Sequence, residues 1–278
     1  MIKAYFKLGR PINALAGIIA VFISAYVAGP ETWQPVIMAA LSVLLITVST
    51  NAWNDYLDIE IDRINKPGRP LPSGQINPRG ALVFSTAGTI LSLLAATFIN
   101  PPAFLIALGS NILLYFYSWK LKCTVLLGNI TVALIIALCF IFGGVAAESI
   151  RPVLPLAGTV FFAMLAREIL KTMADYRGDL KHNCSTIATR WGKSLSRVFV
   201  LIFLAAASLA MVAVFFLGQY SPVYLLVVAV GVYPIFTYIA LNAESSATGP
   251  ELERLSTLMK YCFFTWFLAV GLGAGLAA

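Results

Sequence analysis

The chain of 278 residues holds a single histidine, His182, and only 11% of its residues are charged. Neither a histidine-built metal centre nor a Ser-His-Asp triad is therefore expected as the basis of its chemistry. Its four cysteines stand at 123, 139, 184 and 262, with no Cys-x-x-Cys pair and no close spacing. A zinc knuckle and a dithiol redox motif fall away, and the cysteines read as packing residues. No polar stretch is long enough for a separate soluble domain, the longest running over 54–80 and 172–197. The formal charge of +7 would suit a nucleic acid, yet the bases are scattered between apolar runs instead of forming one stripe. No nucleic-acid partner is expected.

What the chain has is apolar length. With 60% hydrophobic residues and a mean hydropathy of +0.87, it reads as a polytopic membrane protein. Runs long enough to span a bilayer fall at 11–29, 36–53, 81–99, 103–119, 125–145, 153–171, 198–217, 222–241 and 260–277. The expected architecture is all-α, a bundle of about nine transmembrane helices forming one domain over 1–278. Asn100, Pro101 and Pro102 separate the third run from the fourth, because proline ends one helix and suits the first turn of the next. If the N-terminus is cytoplasmic, all of the 19 Lys and Arg residues except Arg151 fall on the cytoplasmic side. That asymmetry supports a multi-pass cell-membrane protein with an odd number of spans. The first run follows basic residues but is too long, and lacks a small-residue cleavage site, for a signal peptide.

Both long polar stretches are acidic. Asn54, Asp55, Asp58, Glu60 and Asp62 leave the end of the second run, with Arg63, Lys66 and Arg69 following. Asn54, Asp58 and Asp62 recur at every fourth residue, so on a helix they share a face, drifting about 40° per step. They sit where the backbone dipole of the preceding helix is already negative, so they need cations. Asp175 and Asp179 repeat the spacing after the sixth run, again among bases. A solvated acidic loop would explain either stripe alone; two of them argue for one shared site. Hard oxygen donors suit Mg²⁺ shared with a phosphate-bearing substrate, and two ions could clamp a diphosphate as it leaves. Lys66, Arg69, Lys120 and Lys122 are the candidates to neutralise the departing diphosphate. Ordinary positive-inside topology explains any single one of them equally well.

In these motifs the chain resembles the UbiA-type intramembrane prenyltransferases. The resemblance rests on Asn54-Asp55-x-x-Asp58-x-x-x-Asp62 followed by Arg69-Pro70-Leu71-Pro72-Ser73-Gly74, and on Asp175-x-x-Gly178-Asp179 preceded by Glu168 and Lys171. It extends to Arg10-Pro11 with Asn13, Tyr117-Ser118 with Lys120 and Lys122, and Gly128-Asn129. The chain carries Thr172 and Arg177 where many relatives have acids. The resemblance implies a nine-helix bundle around a lipid-open central cavity, with the acid stripes at its cytoplasmic mouth. Asn54, Asp58 and Asp62 would hold one Mg²⁺ and Asp175 and Asp179 the other, with Asp55 assisting directly or through a neighbouring ligand. Within the family, the run from Asp62 to Pro67 is similar to enzymes that attach a geranylgeranyl chain to geranylgeranylglyceryl phosphate, making the second ether of archaeal lipids.

The expected partners are thus a prenyl diphosphate and a lipid acceptor from the bilayer, with no obligate protein partner inferred. A prenyl tail gains little on leaving one apolar medium for another, since the ~0.8 kcal/mol per methylene belongs to transfer from water. Affinity must come from the diphosphate head. Ionisation leaves an allylic cation, which the faces of Tyr115 and Tyr117 could steady; Trp119 fits an interfacial belt anchor better. Asn13 fits either an acceptor contact or a hydrogen bond between helices. Two further readings stay open: an aromatic acceptor on the same fold, and a secondary transporter, which would place its acids nearer the membrane midplane.

Overall fold

The computed structural model describes residues 2–218 and 220–276, and for residues 64 and 65 the backbone. The first residue, Gln219 and the last two, including the end of the ninth expected run, lie outside the described residues. Among the described residues there are nine helices long and apolar enough to cross a membrane, and the fold is all-α.

The chain divides into two compact units, Met1–Lys120 with Ile141–Ile150, and Leu121–Phe140 with Arg151–Ala278. In the first, α1 (Ile2–Leu8) and α2 (Pro11–Ala28) precede α3 (Gln34–Leu57), α4 (Ile59–Asn65), α5 (Pro78–Thr97) and α6 (Pro101–Trp119). The central helix is α3, which packs on α2, α5 and α6. Asn77 and Asn100 cap α5 and α6 at their N-termini, each followed by a proline whose missing N–H costs nothing there. The helix interfaces are tied by hydroxyls. Ser42 Oγ donates to the Ser92 carbonyl at 2.9 Å, Ser85 Oγ to the Ser49 carbonyl at 2.8 Å, and Asn111 Nδ2 to Ser92 Oγ at 3.2 Å. Inside a membrane such bonds contribute on the order of 0.6 kcal/mol each, and small residues let the helices approach. At Gly143 a Cβ would stand 2.1 Å from Ser24 Oγ, so only glycine fits.

Helix α7 (Leu127–Ala146) contains the boundary between the units. In the second unit α8 (Leu154–Ala174) is central, packing on α10 (Ile187–Leu217) and α13 (Gly249–Gly275). The short α9 (Tyr176–Lys181) links α8 to α10. The eighth span is α11 (Pro222–Val227), a π-turn over Val228–Val232 and α12 (Tyr233–Asn242).

Two spans begin about three turns before their apolar runs. α10 starts at Ile187 instead of 198, and α13 at Gly249 instead of 260. Hydropathy discards first turns bearing Arg190, Lys193, Glu251 and Arg254, but capping boxes at Thr186 and Thr248 start the helices there. Gly192, at φ +83°, breaks the helical backbone early in α10. The cysteines also need correcting: Cys123 and Cys184 are joined as a disulfide, 61 residues apart in sequence, while Cys139 and Cys262 are free. Spacing could not show a pair that the fold of the second unit brings together.

Candidate active site

Both acid motifs are built on one backbone device. Helix α3 ends at Asp58, whose φ of −90° and ψ of 7° leave the helical region, and α4 follows at once. Helix α8 ends at Asp175, with φ −81° and ψ 2°, and α9 follows at once. These values lie in the sparsely populated bridge region, a common setting for active-site residues. The i to i−4 hydrogen bonds still run through each interruption. The Asp62 N–H donates to the Asp58 carbonyl at 2.8 Å, and the Asp179 N–H to the Asp175 carbonyl at 2.9 Å. The four-residue spacing in the sequence is therefore realised twice, on paired long and short helices.

In the first unit the carboxylates separate into two groups. Asn54 Nδ2 donates to Asp58 Oδ2 at 3.0 Å, and Asp58 is half-buried. Asp55 and Asp62 are buried, at 3% and 5% exposure. One guanidinium serves both: Arg69 Nη1 lies 3.2 Å from Asp55 Oδ1 and also ion-pairs with Asp62, while Arg10 ion-pairs with Asp55. Asp62 thus belongs with Asp55 through Arg69, whereas Asp58 belongs with Asn54. Helical periodicity cannot see this grouping, because Arg69 returns from beyond α4. Two buried carboxylates need such a cation, since an unpaired buried charge costs several kcal/mol.

A small apolar core holds Arg69 there. Ala4 and Leu8 of α1, Ala52 of α3, Leu71 and Ile76 of the loop, and Ala81 of α5 are buried together. Turn hydrogen bonds fix the loop, Ser73 N–H to the Arg69 carbonyl at 3.0 Å and Ile76 N–H to the Pro70 carbonyl at 3.1 Å. Lys7 Nζ donates to the Gly68 carbonyl at 3.1 Å. Arg10 sits between α1 and α2 at φ +52°, a left-handed conformation that an arginine adopts only under constraint. Its part in the site was missed by spacing arguments; the only sequence signal was Arg10-Pro11.

In the second unit Asp175 is exposed and Asp179 is half-buried. Burial raises the Asp179 pKa above the ordinary aspartate value, and repulsion from Asp175 adds to this. A hydrogen bond from the Thr186 side chain and the positive charges of Lys122 and His182 oppose the shift. Two turns before Asp175, Glu168 is buried between two bases, Arg167 Nη1 at 2.7 Å and Lys171 Nζ at 2.9 Å. Glu168 is therefore committed within the protein. Arg167 in turn donates through Nε to the Ser256 carbonyl at 3.3 Å, tying α8 to α13.

The remaining candidates are dispersed. Lys66, Lys120 and Lys122 are exposed, and Lys120 Nζ stands 4.4 Å from the Trp119 ring centroid. The Tyr115 hydroxyl is 2.6 Å from Ser85 Oγ and 2.8 Å from Thr89 Oγ1, and its ring lies 5.1 Å from that of Trp53. Tyr115 is thus engaged in packing α6 on α5 and α3, beside an open groove of about 570 Å³ that Ile90, Ile112 and Phe116 also line. Tyr117 is half-buried, and Asn13 is exposed on the first turn of α2.

Among the described residues no three His, Cys, Asp or Glu side chains form a ready metal cage. Paired oxygens still fit Mg²⁺, which keeps waters and takes one or two carboxylates together with substrate phosphates. Asn54 with Asp58, and Asp175 with Asp179, are donor sets of that kind.

The chain matches the family described as the UbiA prenyltransferase family over residues 14–275. It is 33% identical over 273 residues to the digeranylgeranylglyceryl phosphate synthase of Methanothermobacter thermautotrophicus, covering 98% of this chain and 96% of that one. A solved structure concerned with digeranylgeranylglyceryl phosphate synthase in membranes superposes with a TM-score of 0.82 at 30% identity, covering 98% of each chain. A UbiA homolog from Archaeoglobus fulgidus bound to GPP and Mg²⁺ shares the fold, with a TM-score of 0.73 at 20% identity over 96% of this chain and 99% of that one. Nine membrane-type helices, an acid motif of the same build in each unit, and a match over nearly the whole length agree: this multi-pass membrane protein belongs to the UbiA prenyltransferase family.

Proposed function

We propose that the chain transfers the geranylgeranyl group of geranylgeranyl diphosphate to the free hydroxyl of geranylgeranylglyceryl phosphate, forming an ether. The observation that carries this reading is the near-full-length similarity to a digeranylgeranylglyceryl phosphate synthase, joined to two oxygen-donor pairs set among bases. Asn54 and Asp58 of the first motif, and Asp175 and Asp179 of the second, would hold the metal–diphosphate head, while Asp62 stays paired with Arg69. Bound Mg²⁺ supplies neutralisation of the charge that grows on the leaving diphosphate.

The remaining work falls to the chain's own residues. Asp55 and Asp62 orient Arg69, so Arg69 presents its remaining N–H donors to phosphate without needing to reorganise. Lys66, Lys120 and Lys122 add positive charge, with Lys122 acting beside Asp179. The allylic cation needs no strong base to deprotonate the acceptor beforehand, because the electrophile already carries the charge. Apolar walls keep water from it, and the face of Tyr117 steadies it. Asn13 contacts the acceptor head group. The orientation follows the distribution of lysine and arginine, with the N-terminus and both acid motifs cytoplasmic.

The test uses purified protein in lipid nanodiscs with radiolabelled geranylgeranyl diphosphate, Mg²⁺ and a panel of acceptors. The ether lipid is the expected product. Efficient prenylation of a hydroxybenzoate or naphthoate, with the glycerol lipid ignored, would overturn the acceptor assignment.

A further inference from the structure

The two bonded cysteines stand at an informative place. Cys123 ends the 3-10 turn Leu121–Cys123, directly after Lys122, and is exposed. Cys184 follows α9 and is half-buried. Their Cα atoms are 4.7 Å apart, inside the range that a disulfide bridges without backbone movement. Cys184 is itself tied to the acid motif, its N–H donating to the Asp179 carbonyl at 2.9 Å. The Cys184 carbonyl accepts from Thr189 Oγ1 at 2.7 Å, anchoring the segment to the first turn of α10. Between the two sulfurs and the backbone, the segment carrying Lys122 is therefore fastened to the segment carrying Asp179, and the Lys122 charge is felt by that carboxylate.

We propose that Cys123 and Cys184 are a thiol–disulfide modification site whose oxidised form holds Lys122 beside Asp179 and strengthens binding of the metal–diphosphate head. The inference rests on the reading that Lys122 and Asp179 serve that head. Oxidation needs a low-molecular-weight disulfide, RSSR, as the electron acceptor. The Cys123 thiolate attacks one sulfur of RSSR, forms a mixed disulfide and releases one RS⁻. The Cys184 thiolate then attacks the Cys123 sulfur and releases the second RS⁻. Two protein thiols lose two protons and two electrons, and RSSR leaves as two RSH. Cys123 starts the exchange because it is exposed, whereas Cys184 is half-buried. Both cysteines act as positioning residues and touch no reacting atom.

The experiment equilibrates the protein in nanodiscs with graded ratios of reduced and oxidised dithiothreitol. Maleimide-polyethylene glycol counts free thiols, and calorimetry measures the affinity for Mg²⁺ with inorganic pyrophosphate. Cys123 and Cys184 should lose reactivity together in one two-electron step while Cys139 and Cys262 stay thiols. Reduction should weaken pyrophosphate binding on the order of 5-fold, the low end of ordinary coupling between sites. It should raise KM for geranylgeranyl diphosphate without a matching fall in kcat. Cys184→Ser should behave like reduced protein at every ratio, and if that variant does not fold, the wild-type titration decides alone. Failure of the two thiols to oxidise together, or equal pyrophosphate affinity in both forms, overturns the proposal. Absence of ether product with the pyrophosphate response intact counts against the proposed acceptor and leaves this inference standing.

Discussion

The two acid motifs share a backbone and differ in how their charge is balanced. Each places an aspartate at the end of a long helix and another four residues later on a short one, linked by nearly equal hydrogen bonds of 2.8 and 2.9 Å. In the first unit Asp55 and Asp62 are buried, with Arg10 and Arg69 folded in as counter-charges. In the second, Asp175 is exposed, and Asp179 is raised in pKa by burial and by its neighbour. The first motif therefore brings much of its own cation with it. The second keeps its carboxylates nearer the surface, where a bound metal would meet them. Similar spacing in a sequence thus gives similar local geometry, while the return of distant bases decides what each acid can do.

The largest expected effect is loss of turnover. Chelation of divalent ions should abolish prenyl transfer, and Mg²⁺ should restore it. Asp58→Ala and Asp179→Ala should each lower kcat on the order of 10²-fold or more, the scale of removing a principal electrostatic stabiliser. Normal turnover in either well-expressed variant would take that residue out of the site, and retention by Asp179→Ala alone would erase the functional half of the comparison.

A smaller effect concerns stability and separates the motifs more sharply. Arg69→Met leaves Asp55 and Asp62 short of a partner and should cost on the order of 3 kcal/mol, read as a lower melting temperature in detergent or nanodiscs. Arg69→Lys should recover part of this, because lysine keeps the charge but not the fork that spans two carboxylates. Asp179→Ala, in the second motif, should leave the metal-free melting temperature close to wild type. Equal destabilisation by Arg69→Met and Asp179→Ala would show the two motifs to be charge-balanced alike.

A specificity effect of intermediate size follows from the proposed acceptor. Geranylgeranylglycerol, lacking the phosphate, should react poorly, because a cationic pocket would be left without its charge-assisted hydrogen bonds. Equal rates with the two acceptors would remove the phosphate from recognition.

Much of this molecule was legible in the sequence, for reasons tied to particular residues. Among the described residues nine apolar runs gave nine membrane-length helices, because a bilayer leaves a spanning backbone few other ways to satisfy its hydrogen bonds. Asn100-Pro101 fixed a helix start because its two residues solve one problem, the unpaired N–H groups of a first turn. The starts of α10 and α13 were hidden, since their capping boxes are polar and a hydropathy window discards them. At the candidate site, the four-residue spacings of Asp58 with Asp62 and of Asp175 with Asp179 were readable because they are local. The bridging of Asp55 and Asp62 by Arg69, the reach of Arg10 and the Cys123–Cys184 bond were not, because each depends on chain return across a loop.

The smallest expected effect is a pH dependence carried by Asp179. Because its pKa is raised, the folded protein holds this proton more tightly than the unfolded chain does. The stability it contributes is fully present below the ordinary aspartate range and is lost as pH rises through the elevated value. Above that window the ionised carboxylate sits partly buried beside Asp175, so metal-free Asp179→Asn should melt slightly above wild type. The two melting curves should converge as pH falls through the carboxylate range. Adding Mg²⁺ should reverse the order near neutral pH, because an ion that binds only the folded protein stabilises the chain that keeps the ligand. An Asp62→Asn variant should show the opposite metal-free behaviour, melting below wild type near neutral pH, because there the ionised carboxylate is paired with Arg69. If Asp179→Asn and Asp62→Asn shift the melting temperature in the same direction without metal, the contrast between a buried, arginine-paired motif and a more exposed one is wrong.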